Sequence, residues 1–215
     1  MKILIVSATQ SEEAGIRKFV DKTGFKQHQI TFLCTGPSIP LTVFSLTKHL
    51  SVQPYDLCIN IGVCGSFSDH YPPGKVLNIT HDQFADIGIR QNDTFQPIFD
   101  AEFWDTSSEP FDGNSMIENK CKFSPNLIQA NAITVNVTSG NAQQIAQRLK
   151  RFNNPDTESM EGAAFAYVCK KMNTEYLQIR AVSNRVEPYN KESWNMGLAL
   201  KNLSDELIKF IKKLP

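Results

Sequence analysis

An α/β protein with a twisted, mostly parallel central sheet in a three-layer sandwich is what this sequence predicts, and three observations carry that expectation. The chain opens on a continuous apolar run, Ile3-Leu4-Ile5-Val6, of the kind found in strands buried on both faces of a parallel sheet. Similar runs then alternate with helical stretches almost to the last residue, which implies parallel strands covered by helices on both sides. The length of 215 residues suits one large domain over the whole chain, with a core big enough to need no disulfide or metal staple.

The elements follow in order. The first strand stops at Ser7-Ala8-Thr9, and a polar helix is expected from about Ser11 to Asp21. A second strand over Gln27 to Cys34 ends at Gly36-Pro37, which punctuates it before a helix from Ser38 to Leu50. Asp56 to Ile61 reads as a strand broken by a glycine turn, Gly62-Val63-Cys64-Gly65-Ser66. Strand patterns recur at Lys75 to Gln83, Ala132 to Val137 and Tyr176 to Val182. Helices are expected at Ala142 to Arg151, Met160 to Lys171 and Lys191 to Lys213. Gln91 to Ser124 interrupts the alternation, and its aromatics (Phe95, Phe99, Phe103, Trp104, Phe111) require burial, in a substrate lid, a subunit interface or a local core.

Composition narrows the function classes. Twenty-two basic and 22 acidic side chains cancel, and no basic stripe suits a nucleic-acid backbone. Lys209, Lys212 and Lys213 read as the solvated end of a last helix, near its negative dipole end. Five scattered cysteines without a C-x-x-C pair argue against both a disulfide framework and a zinc site. The opening apolar run is too short for a signal h-region and no run is long enough to span a membrane. The expectation is a soluble cytoplasmic protein without metal or cofactor, in which N-x-S/T matches such as Asn92-Asp93-Thr94 carry no glycosylation meaning.

Ligands of open α/β sheets bind beyond the carboxyl ends of the strands, so the polar residues there are the candidates. They are Glu12; the turn Gly62 to Ser66; Thr138, Ser139, Gly140 and Asn141; and Ser183 with Asn184. A fifth element, Glu158-Ser159-Met160-Glu161-Gly162-Ala163-Ala164, opens a helix with an acid, and small residues after Glu161 favour close packing. Glu12 and Glu161 are each also explained as ordinary acids in a first helical turn. Arg180 interrupts an apolar strand, where a charge is costly unless paired; Glu12 is the expected partner.

The stretches Ile59 to Ser66, Glu158 to Ala164 and Ile179 to Asn184 resemble the three signature regions of the purine nucleoside phosphorylase and methylthioadenosine nucleosidase superfamily. The run Gln178 to Pro188 with Trp194-Asn195 resembles its futalosine hydrolase branch, which removes hypoxanthine from futalosine on a route to menaquinone. The resemblance implies that Glu12 activates the attacking water, Glu161 grips the ribose hydroxyls, and Met160 packs on the sugar. It places Asn184 at N7 of the base, with the backbone of Val63, Cys64 and Gly65 and the neighbouring Ser139 and Gly140 lining sugar and base. Arg180 belongs to the same rim. The serine common in the family at the position of Val63 is absent, which leaves that side chain without a role. A homodimer or higher homo-oligomer is also implied.

The chemistry asks for these residue types. Cleavage of the N-glycosidic bond passes through an oxocarbenium-like sugar, so one carboxylate on the ribose and another on water are suited to it. An asparagine amide donates to N7 and O6 of a 6-oxopurine, although asparagine also pairs with adenine. Glu12 in the first strand turn repels phosphate, and the first arginine after it is Arg17, which favours hydrolysis over phosphorolysis. In futalosine an aromatic carboxylate extends from the 5′ end; Arg90 or His81 is expected to meet it, within reach of the 91–124 stretch. The alternatives are a nucleosidase or phosphorylase for methylthioadenosine or inosine, and a non-catalytic nucleoside-binding protein.

Overall fold

The computed structural model describes all residues except Lys26, Asp93, Asp112, Asn114 and Tyr189. Three of these belong to the 91–124 stretch, and the sequon at Asp93 lies outside the described residues.

Strand β1 (Lys2–Ser7) pairs in parallel with β2 (Gln29–Cys34) and with the first half of β3 (Leu57–Ser66). Helix α1 (Gln10–Thr23) starts at Thr9 and ends at Gly24, whose φ of 57° is the left-handed cap that glycine supplies without strain. Helix α2 (Ile39–Leu50) follows β2. Next come β4 (Val76–Phe84), a hairpin of β5 (Gly88–Gln91) and β6 (Thr94–Pro97), and the short β7 (Ile117–Glu118). The remainder is β8 (Ile128–Thr134), α3 (Ala142–Arg151), β9 (Thr157–Ser159), α4 (Gly162–Lys171), β10 (Tyr176–Arg185) and α5 (Met196–Ile211). No helix among the described residues is long and apolar enough to cross a membrane.

The sheet is mixed. Strand β10 pairs in parallel with β3 but antiparallel with β4, and β9 runs antiparallel to the end of β3. Because β8 joins β4 to β9, the strands β3, β10, β4, β8 and β9 close a ring, from which β1 and β2 extend. The expected three-layer sandwich about a mostly parallel sheet gives way to a mixed sheet that closes as a barrel. Closure turns on β9, three residues inside a segment that looks like a helix start. Inside the ring, Cys64, Leu77, Ile79, Ala130, Ala132 and Val182 pack together. On one face of the sheet α1 and α5 cover Ile3, Ile5, Ile59 and Ile179, while α2 and α4 pack on the other face against Leu4, Val6 and Cys58.

Four boundaries differ from expectation in ways that bear on the site. Gly62 to Ser66 continues β3 instead of forming a turn. Strand β10 runs on through Asn184. Strand β8 begins at Ile128 and ends at Thr134, not at Val137, and the last helix begins at Met196 after a 3-10 turn over Lys191–Ser193. The 91–124 aromatics build a local core. Trp104 stacks on Phe84 and Phe99 at 5.7 and 5.5 Å between centroids, with Phe111 edge-on at 5.0 Å. Phe95 and Phe103 are the exceptions: Phe95 lies against Arg90 and Arg151, and Phe103 remains 73% exposed.

Phe111 is fully buried against both Phe99 and Trp104. Phe111→Ala is expected to lower unfolding free energy by about 3–5 kcal/mol, read from urea denaturation; a loss below about 1 kcal/mol contradicts a packed 91–124 core.

Candidate active site

A cavity of about 200 Å³ opens at the carboxyl ends of β1, β3 and β10 and the starts of α1 and α4, where parallel strands leave a crevice for ligands. Two acids meet on it, each for a local reason. Glu12 lies in the first turn of α1, where the Thr9 N–H and hydroxyl donate to its Oε2 at 2.8 and 3.0 Å. This is the returning half of a capping box. Its Oε1 accepts from the Val63 N–H at 3.1 Å, so the carboxylate ties α1 to β3 while only 5% exposed.

Glu161 is the N-cap residue of α4 but makes no side-chain cap. Its Oε1 accepts the Ser38 N–H at 3.2 Å, and its Oε2 lies 3.7 Å from Arg180 Nη1. Burial pushes the Glu161 carboxyl up from its ordinary value; Arg180 pulls the other way, and Glu12 adds to the rise. Ser38 holds φ at 105°, a strained conformation for a residue with a side chain. That strain delivers its N–H to the acid.

Arg180 is 1% exposed. Its Nη2 donates to Asn60 Oδ1, and its ion pair is with Glu161, not with the expected Glu12. The cause is register: Arg180 lies opposite Gly62, and its guanidinium passes over the space a side chain there would fill, together with Glu12 Oε1. Arg180 therefore sits beneath the acids and does not line the cavity.

Asn184 reaches the cavity because β10 slips register against β3 between Val182 and Asn184. Such a bulge re-aims the next side chain, and the bulged Ser183 carbonyl accepts the Asn195 N–H at 2.8 Å. Asn184 Oδ1 accepts from Ser183 Oγ at 2.7 Å, and Nδ2 donates to the Arg185 carbonyl at 2.8 Å. An amide nitrogen carries two hydrogens, so one N–H is left over.

Met160, Val63, Cys64, Gly65 and Ser139 line the cavity with these residues. Gly140 does not; its N–H turns to Gln144 Oε1 at 3.2 Å to start α3. Burial raises the Cys64 thiol to about 12, which leaves it inert. Arg90 lies in a separate depression with Phe95 and Arg151, and His81 faces Thr80 at the β7 pairing. Neither reaches the cavity, nor does any described residue of 91–124. The loops after β8 and β10 are nearer in the fold, and chain position does not reveal that.

Sequence reasoning missed an ion-paired clamp on the same wall. Glu158 accepts from the Ser139 N–H at 2.8 Å and hydroxyl at 2.6 Å. Arg148 Nη1 joins it at 2.6 Å, fixing the β8–α3 loop to β9. The spacing of Glu158 to Arg148 crosses two elements and gives no local signal. Among the described residues no group of His, Cys, Asp and Glu could hold a metal ion.

A family model described as the phosphorylase superfamily matches residues 8–212. A futalosine hydrolase of Streptomyces coelicolor is 28% identical over 160 residues, covering 74% of this chain and 67% of that protein. A 5′-methylthioadenosine/S-adenosylhomocysteine nucleosidase of Bacillus licheniformis is 22% identical across the full length of both. Among solved structures, the futalosine hydrolase of Helicobacter pylori superposes with a TM-score of 0.81 at 15% identity, over 100% of this chain and 98% of that one. The methylthioadenosine/S-adenosylhomocysteine nucleosidase of Colwellia psychrerythraea, solved with adenine, also gives 0.81 at 15%, over 100% and 96%. These structural likenesses are of fold.

Arg180→Met leaves Glu161 buried without its cation, which should cost about 3–5 kcal/mol. Because burial already raises the Glu161 carboxyl above its ordinary value, protonation favours the native state. The loss is therefore smallest at low pH and grows as pH rises through the raised value. Urea unfolding at pH 5 and pH 8 checks this; an equal loss at both breaks the link between the two residues.

Proposed function

The chain belongs to the phosphorylase superfamily, and from that premise we propose that it hydrolyses the N-glycosidic bond of a purine nucleoside, with futalosine as substrate and hypoxanthine as the released base. The observation that carries the reading is one cavity holding two carboxylates, Glu12 and Glu161, and the amide of Asn184. In this reading Glu161 accepts from the ribose hydroxyls and raises electron density on the sugar as positive charge develops. Glu12 takes a proton from water, whose oxygen bonds to the anomeric carbon as the bond to the purine nitrogen breaks. The spare N–H of Asn184 stabilises the departing base at N7.

Water is favoured over phosphate as the nucleophile by the charges at the first strand turn. Arg17 is committed to Glu13 at 3.1 Å through Nε and stacks on Phe32. Arg185, the one cation on the described cavity lining, pairs with Asp69. Among the described residues that line the cavity, no unpaired guanidinium is left to hold a phosphate beside Glu12. The futalosine branch is supported by the Streptomyces relative and by Asn184, whose donor suits a 6-oxopurine. The second reading, a methylthioadenosine nucleosidase, is supported by the full-length Bacillus relative and by the ability of asparagine to pair with adenine. A cytoplasmic role in menaquinone synthesis belongs to the first reading. A homo-oligomer is supported by Leu41 and Phe44, left 46% and 67% exposed on α2.

The test is purine release in phosphate-free buffer from futalosine, inosine and methylthioadenosine. Hypoxanthine from futalosine is expected; adenine from methylthioadenosine, or release only after phosphate is added, overturns the specific assignment. Glu12→Gln should lower kcat on the order of 10²–10⁴-fold while hypoxanthine still binds by calorimetry. Unchanged turnover removes Glu12 from the reaction and revives a mere binding role. Asn184→Asp should shift the kcat/KM preference from a 6-oxopurine toward a 6-aminopurine nucleoside, because a carboxylate accepts where the amide donated.

A further inference from the structure

Beneath the cavity, a buried chain of hydrogen bonds links β4 to the first turn of α4. Thr134 Oγ1 donates to Asp82 Oδ1 at 2.8 Å and accepts the Ala163 N–H at 2.7 Å. Asp82 is 1% exposed and Thr134 fully buried. Ala163 is the second residue of α4, and Glu161 is its N-cap. The first N–H groups of a helix have no partner within it, and the Glu161 carboxylate is spent on Ser38 and Arg180. Thr134 therefore supplies from β8 a cap that the helix does not make for itself.

Gly162 marks how closely these parts approach. A methyl group there would lie 2.1 Å from Asp82 Oδ2 and 2.5 Å from Gln178 Oε1. Both oxygens are buried without a hydrogen-bond partner, an arrangement that costs free energy. A proton on Asp82 Oδ2 relieves it by giving that oxygen a hydrogen to donate.

We propose that Asp82 is a positioning residue of the active site, which through Thr134 holds the start of α4 and so aims the Glu161 carboxylate. The inference rests on reading Glu161 as the acid that grips the ribose. Burial pushes Asp82 up to about 7, against the opposing pull of the Thr134 hydroxyl and of Arg180. The other ionisable groups that feel its charge are Cys64 on β3 and Tyr176 on β10, both raised by burial and neutral at that pH. Arg180 bears on it from β10, and Glu161 bears on Arg180 from α4. Ionisation of Asp82 as pH rises through about 7 removes the relieving proton and disturbs the aim of Glu161.

The experiment compares Asp82→Ala, Asp82→Asn, Thr134→Val, Thr134→Ser and Glu161→Gln for kcat across pH 5–9 with the same nucleoside. Asp82→Ala and Thr134→Val should lower kcat about tenfold or more, in line with the cost of misplacing a reacting group. Asn and Ser should restore most of it, because an amide mimics the protonated acid and serine keeps the hydroxyl. A merely structural Asp82 would not change the pH profile; Asp82→Asn should abolish an alkaline limb near pH 7. If Asp82→Ala does not fold, the Thr134 pair carries the comparison. Wild-type kcat in Thr134→Val, or an unaltered limb in Asp82→Asn, overturns the proposal while Glu161→Gln still collapses. Unchanged kcat in Glu161→Gln removes that acid from the reaction, and this inference with it.

Discussion

A guanidinium buried in a sheet strand is the constraint around which this site is assembled. Arg180 is 1% exposed, so it must be paired or its desolvation goes uncompensated. Asn60 and Glu161 answer it from β3 and α4. Its side chain fits only because the residue opposite on β3 is Gly62, where any Cβ would fall 2.2 Å from Nη1 and 2.7 Å from Glu12 Oε1. One charge thus explains a glycine on one strand, an asparagine on the same strand and an acid at the start of a helix. The acid in turn requires the strained Ser38 to present its N–H. Glu161 can be both buried and polarised only because these neighbours are fixed by the sheet.

The sheet fixes them by closing. Strand β3 is long enough to pair with β1 along its first half and with β9 at its end, while β10 occupies its other edge. That sharing brings α1 from one end of the chain and α4 from the other to a common rim. Closure also forces irregularities, and these fall where side chains must be redirected. The slip in β10 lies beside Asn184, and the slip in β4 between Ile79 and His81 precedes Asp82. Past that slip Asp82 is in register with Ala132, a residue of the apolar cluster within the ring. A regular strand would place these groups on other faces.

Much of this was legible in the sequence, for reasons that differ by residue. The first strand, α1, α2 and α3 follow from local patterning and boundary residues, and α3 appears at its expected limits. Arg180 announces itself as a charge in an apolar run. What the sequence does not carry is which strands are neighbours, and the corrections at Arg180, at Gly62 to Ser66 and at β9 trace to that. Glu12 looked like its partner because both lie near strand ends, yet pairing was decided by the register opposite Gly62. The glycines at 62 and 65 read as a turn, because close approach of a side chain from another strand has the same sequence signature as a bend. The Arg148–Glu158 clamp and the Asp82–Thr134 chain join residues 10 and 52 positions apart, the β9 pairing with β3 spans still more of the chain, and no periodicity reports such contacts.

The wiring of the two acids gives them different capacities in the proposed reaction. Glu161 has each oxygen turned to a fixed partner, one to a backbone N–H and one to a guanidinium. It is thereby suited to hold a substrate hydroxyl in a set position. Glu12 is wired unevenly: Oε2 takes two donors from Thr9, while Oε1 takes one from Val63. A carboxylate oxygen offers two lone-pair sites, so Oε1 retains an acceptor site and Oε2 has none to spare. A base that accepts a proton from water needs such a spare site, and in the proposed reaction Oε1 is the Glu12 oxygen that has one. The same Val63 N–H that orients this oxygen belongs to β3, whose backbone also bounds the cavity. The position of the base and the shape of the cavity are therefore set by one strand, and a shift in β3 would alter both together.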